Sequence, residues 1–151
     1  MNHRTLFGLI ACLTVFVASA APAQELKSPD QVKVGLRLMM QVVNDFDRQI
    51  NRKTFQRLPH ENQEFKEACG ALQQAVANEP EAFKRKVSAG VKQSLDIAQS
   101  VADESGSADE TKLRSGHGRL LKAVNAVFAL FPEALRPDPT VQPGGRAPPV
   151  G

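Results

Sequence analysis

His117 is the side chain of this sequence that could most readily do chemistry, because it interrupts an apolar helical stripe. The stripe repeats at the four-and-three spacing of one face of an α-helix. Its members are Leu113, His117, Leu120, Val124, Val127 and Phe131. Gly116 and Gly118 flank the histidine, and a glycine inside a helix costs about 1 kcal/mol relative to alanine. A histidine at such a position either ligates a metal or haem iron or forms a hydrogen bond within the core.

Cys69 and His60 are the residues that could join His117 in a ligand or metal site. Cys69 lies on the seam of the second predicted helix at nearly the depth of His117, and His60 lies in the first turn of that helix. Structural zinc takes four protein ligands, so this set is underfilled. Cys69 and His117 could also form a nucleophile and base, but no Gly-rich turn or oxyanion arrangement accompanies them. The sequence therefore predicts that the protein is not an enzyme.

Haem is a further candidate cofactor. The expected architecture and compartment are similar to those of the four-helix cytochromes. Covalent haem requires Cys-x-x-Cys-His, which does not precede His117. Non-covalent haem would need Met39 or Met40 opposite His117, and both count a turn or more lower in the bundle. The cofactor is therefore left open between none, a metal and haem.

A basic run surrounds the first predicted connection between helices, with no acid before His60. It consists of Arg48, Arg52, Lys53 and Arg57. Such a cluster could bind a phosphate, a haem propionate or an acidic partner. The alternative is a solvated surface, neutralised by acids of the neighbouring loop. Those acids are Asp103, Glu104, Asp109 and Glu110.

The first two helices are predicted from cap residues and prolines. Ser28 and Gln31 form a capping box, and Pro29 occupies the first turn, so the first helix starts here and runs to about Lys53. The second helix runs from Pro59 to about Ala77. Each of the two helices carries an apolar stripe, which must be buried against other helices.

The third and fourth helices are predicted from cap residues. Asn78 caps the third helix with Glu81, and Gly106 suits a left-handed residue at its end. Ser107 and Glu110 form the capping box of the fourth helix, which ends before Pro132. Connections this short make each helix antiparallel to the one before it. The predicted fold is an all-α, up-down-up-down four-helix bundle over residues 24–131.

Residues 1–23 read as a cleaved signal peptide. A positive start is followed by the apolar run 6–17 and by two small-x-small sites, with cleavage after Ala23 or, as second choice, Ala20. An uncleaved anchor is the alternative, although the run is short for a membrane span. Cleavage removes Cys12 and leaves Cys69 as the single cysteine, so no internal disulfide is expected. The predicted location is periplasmic or secreted, with no membrane span after cleavage.

The net charge and the composition of the C-terminal segment limit the kinds of partner that the protein could bind. Without Arg4, eighteen Lys and Arg face sixteen Asp and Glu, a formal charge of +2, which is too small an excess for a nucleic-acid footprint. Residues 132–151 contain six prolines and no apolar period, so they are predicted to be a disordered tail. The partner, a protein or a small ligand, and the oligomeric state stay open.

Two functions are consistent with these patterns. One is an exported, non-enzymatic binding module with a ligand, metal or haem site around His117. The other is an adaptor-like or chaperone-like interaction protein that uses its exposed helix faces and Pro-rich tail, with His117 a plain core residue.

Overall fold

The computed structural model describes residues 25–137. The predicted signal peptide and residues 138–151 of the predicted tail lie outside the described residues. The helices are α1 (Pro29–Asn51), α2 (Leu58–Ala75), α3 (Glu81–Asp103) and α4 (Glu110–Phe128). Three 3₁₀ turns, Phe55–Arg57, Glu104–Ser107 and Glu133–Leu135, follow α1, α3 and α4. Within residues 25–137 there is no strand, and no helix is both long and apolar enough to cross a membrane.

The four helices form an antiparallel ring, as the sequence predicts. α1 and α3 each pack against both α2 and α4, so the pairs α1/α3 and α2/α4 lie on the diagonals. The start of α1 meets the end of α2 at Gly35 and Leu72. The end of α1 meets the start of α4, where Arg114 donates to Asn51. Consecutive helices therefore alternate in direction around one core.

The core is built from the predicted apolar stripes. Its largest fully buried side chains include Phe46, Phe65, Leu36, Met39 and Leu113. Phe131, three residues beyond α4, packs edge-on against Phe83 with ring centroids 5.4 Å apart. Aromatic pairs prefer such edge-to-face geometry. This contact fixes the end of α4 against the start of α3.

Three interior glycines allow the helices to approach closely. A Cβ on Gly35 would lie 3.0 Å from Leu72 Cα, and one on Gly90 would lie 2.8 Å from Val127 Cγ2. A Cβ on Gly116 would lie 2.7 Å from Val101 Cγ2. Each therefore sits where a neighbouring helix leaves no room for a side chain. Gly118 is different, because nothing lies within 4 Å of its Cβ position.

Several helix ends differ from the prediction. Asp109, not Ser107, caps α4 by accepting from Lys112 N at 3.1 Å. The Ser107 hydroxyl instead donates to Glu104 O inside the 3₁₀ turn. The left-handed residue of this connection is Ala108, at φ 52°, and not Gly106. The predicted capping box at Ser107 and the left-handed cap at Gly106 are therefore both wrong.

The other predicted caps differ too. Pro80 stands at the N-cap position of α3, and no side chain caps that helix, so the Asn78 cap is wrong. The turn uses Glu79 instead, whose buried carboxylate accepts the backbone N–H of Lys27 at 2.7 Å. At α1, Pro29 opens the helix as predicted, but Ser28 forms no side-chain cap bond.

The chain continues to pack after the predicted start of the tail at Pro132. Arg136 donates to the carbonyls of Phe131 and Ala129, and Leu135 packs against the core as a half-buried residue. This contact could not be predicted from the sequence, because a single leucine makes no periodic pattern. The structural domain therefore includes residues up to 136.

Candidate functional site

The His117 ring lies inside the bundle and faces α1. The residue is 5% exposed, and its Nε2 is 3.0 Å from the carbonyl oxygen of Val43. Because a carbonyl only accepts, Nε2 carries the proton. Nδ1 is then the unprotonated nitrogen, 4.0 Å from Asp47 Oδ1. The ring thus has the partner expected of a core histidine, a backbone carbonyl.

Burial lowers the pKa of His117 below its ordinary value of 6.5. The hydrogen bond to Val43 and the charge of Asp47 oppose the shift, and the charge of Arg114 adds to it. Desolvation is the largest of these effects, because an imidazolium loses more hydration than a neutral ring. The neutral form is therefore favoured in the folded protein.

Ser94 of α3 is a second buried polar residue of the core, and it does not bond to His117. Its hydroxyl donates to Gly90 O in the previous turn of α3, at 2.9 Å. Serine hydroxyls in helices commonly donate to the backbone carbonyl one turn earlier. The serine is fully buried, so this local bond accounts for its presence in the core.

Cys69 is a buried, free thiol on α2. Desolvation raises its pKa to about 12, so it is a poor nucleophile at neutral pH. It lies on the helix diagonal to the one that carries His117, and in the described part of the chain no hydrogen bond joins them. The arrangement therefore does not form the nucleophile–base pair considered from the sequence.

His60 lies at the surface and is also separate from His117. Its Nε2 is 3.3 Å from Glu64 Oε1, one turn further along α2, and the side chain is well exposed. Among residues 25–137, the only set of three or more potential metal ligands within 4.8 Å of one another contains none of His117, Cys69 and His60. The structure does not bring these three residues together as a metal site, and the Nε2 of His117 is engaged by the Val43 carbonyl.

The basic run around the first connection is partly neutralised. Arg48 pairs with Asp45 at 2.6 Å, and Lys53 pairs with Glu110 at 3.3 Å. Arg114 binds the same Glu110, and its hydrogen bond lowers the pKa of that carboxyl most. Arg52 and Arg57 are exposed. Two of the four cations of the run are therefore paired, Arg48 with an acid of its own helix and Lys53 with Glu110, and the surface carries both signs of charge.

A buried polar network under this surface was not found from the sequence. Gln49 Nε2 donates to Glu61 Oε1 at 2.9 Å, and the Thr54 hydroxyl donates to the amide oxygen of Gln49. Gln49 and Glu61 are both buried, so the network ties the end of α1 to the start of α2. Glu61 is followed by Asn62, which the helical spacing places on the inner seam of α2. This was the one feature of the sequence that could have indicated buried polar residues here.

Three carboxylates gather beside this network: Asp45, Glu61 and Glu64 lie with one oxygen each within 4.8 Å of the others. Burial raises the pKa of Glu61, and the charges of Asp45 and Glu64 add to the rise, while the Gln49 bond opposes it. Asp45 Oδ1 has the Arg48 ion pair but no aligned hydrogen bond. The three carboxylates therefore repel one another when all are ionised, and this repulsion adds to the effect of burial on the pKa of Glu61.

The outer face of α1 and α2 carries the apolar groups that the fold leaves uncovered. Val34 is 53% exposed and Leu38, one turn later, is 39% exposed; they are the exposed large hydrophobic side chains of residues 25–137. Beside them runs a groove of about 390 Å³ between α1 and α2. Its lining is Asp30, Gln31, Val34, Gly35, Ala71, Gln74 and Ala75. We call Val34, Leu38 and this groove the α1–α2 face.

Comparison of the chain with protein-family models, with curated proteins and with solved structures finds no match in any of the three. Within residues 25–137 the architecture is all-α, with four α-helices.

Proposed function

We propose that this protein is an exported, non-enzymatic interaction module that binds a partner protein through the α1–α2 face. The observation that carries the proposal is the exposed pair Val34 and Leu38 beside an apolar groove. Uncovered apolar side chains grouped beside a groove are typical of binding surfaces. His117 is then a core residue that helps to hold α4 on α1.

The lining of the groove suits an α-helix of the partner. Ala71 and Ala75 are small, so the α2 side of the groove permits close approach of a backbone. One of the lining residues, Asp30, is charged. Helix-in-groove recognition uses apolar anchors on one face of an amphipathic helix. Val34 and Leu38 would contact those anchors.

The test compares the surface double variant Val34→Asp/Leu38→Asp with the wild-type chain, purified from cells that export it. Both residues are exposed, so the melting temperature should stay the same while the bound partner is lost. Gln93→Asp on α3, the helix diagonal to α1, is the matched control and should retain the partner. Equal retention by all three proteins would reject the α1–α2 face as the binding surface.

The alternative function, a cofactor carrier with His117 as ligand, makes a different prediction for the same samples. It requires a haem absorbance band or one equivalent of metal that disappears in His117→Leu. Export is tested separately by mass spectrometry, which should find an N-terminus at Gln24 or Ala21. A soluble exported form that keeps Met1 would reject the signal peptide.

A further inference from the structure

A second groove lies on a different side of the bundle, between the end of α3 and the start of α4. Its volume is about 300 Å³. Its lining is Ser100, Val101, Glu104, Thr111, Lys112, Ser115, Gly116 and Arg119. Three hydroxyls, two cations and one carboxylate therefore surround a floor made by Val101 and Gly116.

The two cations of this groove are not engaged by acids of the described chain. Within residues 25–137, neither Lys112 nor Arg119 has a carboxylate oxygen within 4.0 Å, whereas Lys53, Lys92 and Arg114 do. An ammonium and a guanidinium that share a groove repel each other weakly. A bound anion would remove that repulsion and pair with both.

Gly116 shapes the groove. Arg119 Nη2 lies 3.9 Å from the position that a Cβ on Gly116 would occupy, so the guanidinium folds back over the glycine toward α3. A larger side chain at this position would clash with Val101 Cγ2 at 2.7 Å. The glycine therefore brings α3 close and leaves the guanidinium at the groove.

We infer that this α3–α4 groove binds a phosphate group, held by Lys112 and Arg119 and by the hydroxyls around them. Ser100, Thr111 and Ser115 supply neutral donors for the remaining phosphate oxygens. Glu104 cannot favour the phosphate itself, but it can accept a hydrogen bond from a hydroxyl of a phosphate ester.

The experiment is an NMR titration of the full chain with inorganic phosphate, glycerol 3-phosphate and glycerol, each at constant ionic strength. Amide signals of residues 111–119 are expected to shift saturably with a phosphate probe and to be unchanged by glycerol. Binding of glycerol 3-phosphate alone assigns an ester as the ligand, and equal binding of both phosphate probes assigns free phosphate.

Variants connect that binding to the groove. Lys112→Gln/Arg119→Gln should weaken the affinity at least about tenfold, since each lost charge-assisted bond is worth about a factor of ten. The control Lys33→Gln/Lys86→Gln removes equal charge away from the groove and should bind like the wild type. Absence of saturable shifts up to about 10 mM probe, which is well above a millimolar dissociation constant, would overturn the inference. So would equal weakening in both double variants, or identical shifts with sodium sulfate.

Discussion

The Val43 carbonyl accepts a hydrogen bond from His117 Nε2. Because Val43 is part of α1, the same carbonyl also accepts the backbone N–H of the residue one turn later. A carbonyl has two lone pairs, so the imidazole uses the second one. Removal of the ring would leave this oxygen with its helical partner. The histidine therefore adds a bond between α4 and α1 without making either group dependent on it.

His117→Leu should cost no more than about 1 kcal/mol of unfolding free energy at pH 7.5, because no buried partner is stranded. Leu113→Ala, one turn earlier on the same stripe, should cost about 2–5 kcal/mol by leaving a cavity. Urea denaturation measures both. A loss for His117→Leu as large as that for Leu113→Ala would contradict a dispensable hydrogen bond.

The same variant should change the pH dependence of stability. The pKa of His117 is lower in the folded than in the unfolded chain. The stability of the wild type is therefore full above the ordinary pKa of 6.5 and falls as the pH drops below it. His117→Leu lacks this loss, so the difference between the two proteins should move in favour of the variant at pH 5. An unchanged difference would show that the ring does not titrate differently on folding.

Glu61→Gln should stabilise the protein at neutral pH. The folded state raises the pKa of Glu61 above its ordinary value of 4.5, so ionisation is a cost that grows as the pH rises through the folded pKa. We expect the variant to be more stable than the wild type at pH 7, and the difference to shrink as the pH falls toward 4. The exposed Glu67→Gln on the same helix is the control in denaturation at both pH values. A destabilised Glu61→Gln at pH 7 would contradict the repulsion argument.

At the scale of elements, the helices and their order could be predicted from periodicity and prolines, but several of their ends could not. Ser107, Asp109 and Asn78 are all good cap residues, and the choice among them depends on the path of the turn. That path is set by the 3₁₀ turn after α3 and by Glu79, whose partner Lys27 is distant in sequence. Long-range contacts of this kind leave no local pattern.

The glycines beside His117 show the same limit, because two identical neighbours have different roles. Gly118→Ala should stabilise the protein by about 1 kcal/mol, since the added methyl enters open space and removes the helix penalty of glycine. Gly116→Ala should destabilise it, because the methyl overlaps Val101. Thermal melting of the two variants checks this, and a stabilised Gly116→Ala would contradict the close contact of α3 and α4.

At the level of the whole bundle, four helices close around one core, so the proposed binding surface lies on the outside. The sequence indicated which faces are inward, and hence the shared level of His117 and Cys69. It could not indicate that the His117 ring bonds to the Val43 carbonyl of α1, since a backbone acceptor on another helix leaves no pattern in the sequence. The apolar stripes also do not indicate the exposed surface at Val34 and Leu38, because that surface depends on which side chains the folded bundle leaves uncovered.

The end of the chain gives a prediction at this scale. Truncation after Arg136 should leave the unfolding free energy within about 0.5 kcal/mol, since it removes none of the contacts made by Leu135 and Arg136. Truncation after Phe131 removes those contacts and should lower the melting temperature measurably. Equal melting temperatures for the two truncations would show that residues 132–136 do not hold the bundle.

Site-specific photo-crosslinking tests the central claim, recognition through the α1–α2 face, most directly. A photoreactive amino acid is placed at position 38 or, as control, at position 93 on α3, and the cells that produce the protein are irradiated. We predict one defined adduct with a partner protein from position 38, and none from position 93. An adduct from position 93 alone, or none from position 38 while the chain is folded and exported, would contradict the account.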